Sequence, residues 1–400
     1  MNEKEMDKNE FLEEIFGRNI ENRSIVELDQ VECSLIERVD AKSKELGVDF
    51  QGIASSKSVY LAFPSKVKDE FKNREKNFQF SFEERNRTLN TCIFKFLAYY
   101  DEYPKNVQNE VLNCVAVLSN IRGNSDNKRI AQEVIVDLVN FDWNTSGIKP
   151  NIGKVILELQ KVVGLEHAKR ELLKYYNTIV HTQDSPHVLF IKNNHVGDSE
   201  DLIREFVSAI GPYREIGCQN IGFDPETTAG SSRVYCNSVP GDLGDAIIRN
   251  NAKVVLLRNI NDANRMAVAQ LSAFFDGYFV DNFYRVTIPN DVIVICTESK
   301  SERKTADILL EKAQIIYMDD YTLQEKLLIL ENSVSKYNEQ FHLEISLSED
   351  LKEKLVEIDS VSEMKNQILA FFAEVSFRKE IGEENIAHNV IGLNDFEKYL

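Results

Sequence analysis

The sequence contains little glycine and proline and no long hydrophobic run. Its 400 residues include 17 Gly and 8 Pro, which excludes collagen-like and low-complexity chains. No segment approaches the roughly 18 consecutive apolar residues of a membrane-spanning helix, so we expect no membrane contact. The first ten residues are polar and acidic and lack the features of a secretory signal.

Paired cysteines, clustered histidines and excess positive charge are also missing. The six cysteines are far apart, without a C-x-x-C pair, and there is no H-E-x-x-H segment. This pattern favours reduced thiols, a cytoplasmic location and no metal site. Acidic residues outnumber basic ones 65 to 47, giving a net charge of −18. We therefore expect no direct contact with nucleic acid, because the acidic chain and the phosphate backbone would repel each other.

Residues 1–145 predict a helical N-terminal domain. Apolar residues recur at helical spacing in several stretches, of which the clearest run from Leu89 to Tyr100 and from Val107 to Leu118. A further helix is predicted over 11–16, and a short strand over 78–82, where apolar residues alternate. No catalytic constellation is visible, so packing or partner binding is the expected role. Residues 146–154 are the predicted linker.

Residues 155–320 predict an α/β subdomain. Short apolar runs at 187–191, 254–257 and 292–296 alternate with helical patterns, which indicates a parallel sheet with helices on both faces. Residues 321–400 predict a small helical subdomain, in which Thr322 and Glu325 form a capping box that starts a helix at Leu323. The predicted fold class is therefore α/β plus α, with a helical N-terminal domain.

The polar segment after the first predicted strand lies where a phosphate-binding loop would be. That loop reads G-x-x-x-x-G-K-[ST], because backbone amides hold phosphates, Lys neutralises them and the hydroxyl binds magnesium. Here the eight residues run from Lys192 to Ser199. Only Gly197 and Ser199 match, and Asp198 stands in place of the lysine.

Several segments together resemble the AAA+ module of Lon-type ATP-dependent proteases in order and spacing. They are Val163–Lys169, Lys192–Ser199, Arg233–Gly241, Val254–Leu257, Asp291–Thr297, Asp320–Lys326 and Leu393–Leu400. The resemblance covers about residues 155–400 and implies a P-loop NTPase-like sheet followed by a helical lid. The family's proteolytic domain would begin where this chain stops, so no peptidase activity is implied.

The resemblance also implies that the nucleotide-handling positions are degenerate. The first P-loop glycine falls on Lys192 and the P-loop lysine on Asp198. The magnesium-binding aspartate of the second strand motif becomes Arg258, and the water-activating glutamate becomes Asn259. The sequence therefore lacks the groups that would bind and hydrolyse ATP.

Three further positions depart from the family. The sensor-1 asparagine falls on Ser299, the arginine finger falls near Lys312, and the sensor-2 arginine falls near Ser362. Lys312 keeps the charge but loses the planar guanidinium. Glu298, at the end of a predicted strand, is either part of a ligand site or an exposed charge.

The charge reversal at Asp198 decides the expected function. At about 4 Å and an effective dielectric constant of about 20, an interaction with phosphate changes from about −4 to about +4 kcal/mol. That change equals the whole free energy of a micromolar affinity, about 8 kcal/mol. We therefore expect no cofactor and no catalysis, with Lys192 and Arg258 pairing with Asp198 where a nucleotide would lie.

Tyr235 falls on the aromatic residue of the loop that grips polypeptide in the pore of Lon-like rings. The resemblance implies that Tyr235 touches a peptide or a neighbouring subunit. The alternative is that Pro240 and Gly241 form an ordinary turn and Tyr235 covers the edge of a core.

Three functions follow from these observations. The first is a pseudo-ATPase that serves as a protein-binding scaffold, adaptor or regulatory subunit, in a ring with itself or with an active AAA+ subunit. The second is a divergent ATPase or ATP sensor that binds ATP and Mg²⁺ through Lys192 or Arg258. The third is a component of a nucleic-acid-linked defence or regulatory complex that acts through a partner.

Overall fold

A computed structural model describes most of the chain. The described residues are 25–47, 85–119, 125–143, 151–182, 187–192, 198–218, 225–235, 237–381, 390–392 and 395–396. The predicted helix at 11–16, the predicted strand at 78–82, most of the linker and Gly197 lie outside these ranges.

The described helices and strands alternate in the middle of the chain. In chain order the helices are α1 (Ile25–Leu46), α2 (Arg85–Ala98), α3 (Lys105–Ser119), α4 (Ser125–Asn140), α5 (Ile152–Gln160), α6 (Glu166–His181), α7 (Glu200–Ile210), α8 (Pro225–Ala229), α9 (Asp242–Gly244), α10 (Arg265–Phe275), α11 (Asp307–Leu310), α12 (Leu323–Phe341), α13 (Glu349–Val356) and α14 (Val361–Glu380). The strands are β1 (His187–Lys192), β2 (Tyr213–Gly217), β3 (Val254–Arg258), β4 (Ile293–Thr297), β5 (Gln314–Tyr317), β6 (Ser346–Leu347) and β7 (Val390–Ile391). None of these helices is both long and apolar enough to cross a membrane.

Contacts within the chain divide it into two compact units. The first unit comprises Met1–Ser146, Glu226–Asn251 and Val280–Ile288, and the second comprises the remaining segments. This division differs from the predicted boundaries. Two segments from inside the predicted 155–320 subdomain belong to the first unit, and residues 321–400 belong to the same unit as the sheet. Contacts between residues distant in sequence cause the difference, and the sequence pattern does not show them.

The first unit is built on paired helices. Helix α3 packs on α4, α4 on α2, and α2 on α1. The buried side chains recur at helical spacing, as predicted for 89–100 and 107–118, and they include Phe94, Phe96, Val107, Val111 and Val134. Helix α2 ends before Pro104, as expected from the restriction that proline places on the preceding residue.

The second unit contains a five-stranded parallel sheet in the order β2-β3-β4-β1-β5. The three predicted strands are confirmed as β1, β3 and β4 in the centre. Register places Leu189 of β1 beside Ile295 of β4 and beside Gln314 of β5. The edge strands β2 and β5 were not predicted from the sequence.

Both faces of the central strands are buried. Leu189 and Ile295 face a core shared with α5, α6 and α7, whereas Phe190 and Leu257 point to the opposite face and are equally buried. Burial on both faces explains why these strands are continuous apolar runs, since alternation is expected only when one face meets water.

Helices α12, α13 and α14 enclose a separate apolar cluster of the second unit, centred on Met364, Ile368 and Phe371. The predicted capping box is confirmed, because Thr322 and Glu325 exchange side-chain and backbone hydrogen bonds, and α12 begins at Leu323.

Candidate functional site

The candidate site lies at the carboxyl edge of the parallel sheet, outside the ends of β1 and β4. These strands are neighbours, but the chain leaves them in opposite directions. From β1 it continues to β2 at the far edge beyond β4, and from β4 it crosses β1 to reach β5. Such a point opens a crevice at the strand ends, where open α/β sheets bind their ligands.

An ion pair occupies this position. Lys192 ends β1, and its Nζ lies 3.5 Å from Oε1 of Glu298, which follows β4. The two side chains are 26% and 27% exposed. The hydroxyl of Thr305 also donates to Glu298. Glu298 is therefore part of the cluster at the sheet edge, and it neutralises the cation that an alternative function would use for phosphate.

Arg258, at the end of β3, is neutralised in the same way. Its guanidinium forms ion pairs with Glu200 at the start of α7 and with Glu215 on β2. Burial opposes the charge, but the hydrogen bonds to both glutamates raise the pKa of Arg258 above its ordinary value. Asn259 follows with a φ of 56°, a left-handed conformation that asparagine tolerates well.

Asp198 caps a helix that lies more than 160 positions away in sequence. Its carboxylate accepts hydrogen bonds from the Ser360 hydroxyl at 2.8 Å and from the backbone N–H groups of Val361 at 3.0 Å and Ser362 at 2.9 Å. These N–H groups open α14, where a helix carries partial positive charge and unsatisfied donors. The predicted pairing of Lys192 and Arg258 with Asp198 is therefore wrong, since all three charges have other partners.

A second contact joins α7 to α14 near this carboxylate. Lys365 Nζ lies 2.5 Å from Oδ2 of Asp201. Burial is the largest single influence on Asp201 and acts to raise its pKa, but the hydrogen bond from Lys365 and the positive charges of Lys365 and Arg204 together leave that pKa below its ordinary value. The hydroxyl of Tyr321 also donates to the backbone oxygen of Asp198 at 3.4 Å. Together with the hydrogen bonds that Asp198 accepts, these contacts hold the helical segment on the start of α7.

The remaining predicted positions make contacts inside the chain. Ser199 is buried at the start of α7. The backbone N–H of Ser299 donates to Oδ1 of Asn261 at 2.7 Å, and Asn261 Nδ2 donates back to the serine hydroxyl at 3.1 Å. Lys312 Nζ lies 2.5 Å from Oδ2 of Asp276. Its charge is therefore neutralised within the chain.

These groups do not fit magnesium–ATP. The position matched to the phosphate-binding lysine holds a carboxylate, and the position matched to the magnesium ligand holds a guanidinium. A guanidinium has no lone pair for a metal, and a carboxylate repels phosphate. Among the described residues, no group of three or more His, Cys, Asp and Glu is placed to share a metal ion.

Tyr235 lies in the first unit on an exposed loop. Its side chain is 57% exposed, and its neighbours Val234 and Val239 are 79% and 58% exposed. The base of the loop is fixed, because Ser231 and Val239 are hydrogen bonded through backbone and side chain. The exposure of Tyr235 does not fit the alternative that it covers the edge of a core.

Sequence reasoning missed the partners of the predicted site residues. Glu200, Glu215 and Asp276 stand among many other acidic residues, so no local signal distinguishes them. Ser360 carried a usable signal, because a serine three positions before Glu363 at the start of an apolar stripe is typical of a helix N-cap. A comparison with known protein families finds no match, and a search of curated proteins finds no relative.

Proposed function

We propose that the chain is an AAA+-like pseudo-ATPase that does not use nucleotide and serves as a protein-binding scaffold, adaptor or regulatory subunit. One observation carries the proposal. The residue matched to the P-loop lysine, Asp198, places its carboxylate on the N-terminus of α14.

This contact replaces what a phosphate would supply. The N-terminus of a helix attracts anions through its free N–H groups and its dipole. Here the chain provides that anion itself, and the hydroxyl of Ser360 completes its hydrogen bonding. The helical segment α12–α14 is consequently held against α7 without a bound nucleotide.

The placement of the other matched positions supports an AAA+-like organisation. Lys192, Arg258 and Ser299 come from distant parts of the sequence, yet each lies at or just after the carboxyl end of a central parallel strand. The resemblance expects these positions to be close together around a nucleotide. In this chain they meet carboxylates and amides instead, which supports a retained fold without turnover.

The exposed loop around Tyr235 supports protein binding as the remaining function. Three large apolar side chains, Val234, Tyr235 and Val239, are more than half exposed on one short loop whose base is fixed. Aromatic and aliphatic groups in such a setting are typical of interaction sites. The proposed partner is a polypeptide, either a copy of this chain in a ring or an active AAA+ subunit.

Calorimetry with magnesium–ATP tests the absence of nucleotide binding. We expect no saturable heat up to millimolar concentrations. Binding tighter than about 100 μM, or about −5.5 kcal/mol, would contradict the proposal and favour the ATP sensor. The matched sample is a triple variant, Asp198→Lys with Arg258→Asp and Asn259→Glu. If this folded variant alone binds the nucleotide, charge reversal accounts for the loss.

Site-specific crosslinking tests the role of the Tyr235 loop. Benzoylphenylalanine replaces Tyr235 in one sample and Tyr278, which is 80% exposed in the second unit, in the control. We expect a discrete protein adduct after irradiation of a native extract at position 235 and none at 278. Mass measurement of the purified chain separates a self-adduct from a different partner. Equal labelling at both positions would remove Tyr235 from the proposal.

A further inference from the structure

The first unit contains a cavity of about 190 Å³ with a mixed lining. Arg233, Arg285 and Glu110 supply charged groups to this lining, and Val117, Ile130 and Ala131 supply apolar groups. Water occupies about 30 Å³ per molecule in the liquid, so the cavity has room for several waters or for one small organic molecule.

Arg233 is the least satisfied group of this cavity. Its Nε donates to the backbone oxygen of Phe283 and its Nη1 to Oε1 of Glu110. Only 12% of the side chain is exposed. Its Nη2 is buried, and no acceptor for it exists among the residues that the structure describes. Buried donors are almost always paired, so the hydrogen bonding of this guanidinium is incomplete among the described residues.

The charges of the cavity favour an anion. Glu110, with 6% of its side chain exposed, neutralises Arg233. Arg285 is exposed and adds a second guanidinium at the cavity. Burial has the largest influence on Cys114 and raises the pKa of its thiol to about 12, so the thiol adds no negative charge at neutral pH. The net charge of the lining is therefore positive by one.

Glu110 occupies a helix position that is unusual for an acidic residue. It lies three residues after Val107 and four before Cys114, on the stripe of α3 that is otherwise apolar and buried. A carboxylate is placed on such a stripe only with a paired cation, because an unpaired buried charge is strongly unfavourable. Arg233 is that cation, and both residues line the cavity.

We propose that this cavity binds a small organic carboxylate with an apolar body. The carboxylate accepts two parallel hydrogen bonds from Arg285, the geometry in which guanidinium groups match carboxylates, and is also attracted by the charge of Arg233. The apolar body packs against Val117, Ile130 and Ala131. Inorganic phosphate fits less well, because it offers nothing to the apolar wall and its second charge meets Glu110.

A fluorine NMR titration of the full chain with trifluorobutanoate tests the proposal, with trifluorobutanamide as the uncharged probe of nearly the same shape. We expect saturable binding of the carboxylate with a Kd of about 1 mM or tighter, and binding of the amide at least about 10-fold weaker. The variant Ala131→Met fills the cavity, and we expect it to weaken carboxylate binding by about 10-fold or more.

Two further variants test the charge and control for folding. Arg285 has a φ of 57°, which asparagine adopts readily, so Arg285→Asn removes the charge without backbone strain. We expect this variant to weaken binding, and Arg265→Asn, at an exposed arginine of the second unit, to leave it unchanged.

Three results would overturn the proposal. They are the absence of saturation up to about 20 mM carboxylate, equal affinity for the amide, and unchanged affinity in both folded cavity variants. Tighter binding of inorganic phosphate or of a peptide than of trifluorobutanoate would also overturn it, because each identifies a different class of ligand.

Discussion

The charged side chains at the sheet edge of the second unit and those in the cavity of the first unit differ in how completely they are paired. At the sheet edge, Lys192 and Arg258 are paired with glutamates, and Asp198 is bound by a helix N-terminus. In the cavity, Arg233 keeps a buried N–H group without an acceptor among the described residues. The charges at the sheet edge are therefore paired within the chain, whereas the proposed ligand cavity combines Arg233, the first residue of one of the resembling segments, with a helix that carries no motif.

The largest effect on stability is expected from reversing the charge at Asp198. In Asp198→Lys an ammonium faces two N–H groups and the partial positive charge of α14, and three accepted hydrogen bonds are lost. We expect the free energy of unfolding to fall by at least about 3 kcal/mol. Urea denaturation followed by circular dichroism measures it.

An exposed aspartate of the same unit is the control for this reversal. Asp319 is 68% exposed and lies 3.4 Å from the similarly exposed His167, so Asp319→Lys is expected to change the free energy of unfolding by about 0.5 kcal/mol or less. Similar losses in the two variants would show that Asp198 is an ordinary surface charge, and the comparison between the two regions would fail.

The backbone at the base of the Tyr235 loop, in the first unit, is closely packed around Gly241. A Cβ atom at Gly241 would lie 2.0 Å from the backbone oxygen of Thr228 and 2.5 Å from the backbone nitrogen of Gly230. Because both contacts are with backbone, Gly241→Ala is expected to lower the free energy of unfolding by about 3 kcal/mol. It should also abolish crosslinking from position 235.

The control for Gly241→Ala is a substitution at a glycine in α5. A Cβ at Gly153 meets nothing within 4 Å, and the residue is helical. Gly153→Ala should therefore stabilise its unit by about 0.5 to 1 kcal/mol. Thermal unfolding of both variants checks the pair, and a destabilised Gly153→Ala would contradict the structure of α5.

Sequence reasoning found the elements that bury both faces and missed those at the edges. Strands β1, β3 and β4 are uninterrupted apolar runs, so the pattern alone indicates them. Strand β2 lies at one edge and contains exposed Arg214 and Glu215, and β5 at the other edge has only four residues. Their polar or short sequences carry no strand signal, because pairing with a neighbour fixes them.

The charges at the site were predicted, but their partners were not. The reversal at Asp198 is visible in the sequence. Its acceptor role at Val361 and Ser362 depends on a contact across more than 160 positions, which no local pattern encodes. Arg233 was passed over for a related reason. Its partner Glu110 lies 123 positions away, in a segment without a motif.

A pH-dependent effect is expected at Asp281, a buried carboxylate of the first unit. It accepts hydrogen bonds from the N–H groups of Gly241, Phe283 and Tyr284. Burial is the largest influence and raises its pKa to about 6, although these bonds oppose the shift. The folded chain therefore binds a proton below pH 6 that the unfolded chain binds only near pH 4.

The direction in which stability depends on pH follows from this difference in proton binding. Since the folded state holds more protons in that window, its stability increases as pH falls from 7 to 4, by about 2 kcal/mol for this group. Denaturation of the wild type and of Asp281→Asn at matched pH isolates it from the other carboxylates. A difference between the two proteins that does not change with pH would show that Asp281 has its ordinary pKa.

The smallest expected effect concerns the ion pair at the crevice. Lys192 and Glu298 are each about one quarter exposed and 3.5 Å apart, so water screens their attraction. A double-mutant cycle with Lys192→Met and Glu298→Gln should give a coupling of about 0.5 to 1 kcal/mol. Zero coupling would mean that Lys192 is available to an external anion. The sheet edge would then resemble the cavity in having a cation that is not fully paired. Even a small favourable coupling distinguishes the sheet edge from the cavity, because the proposed pseudo-ATPase requires only that each charge at the sheet edge has a partner within the chain.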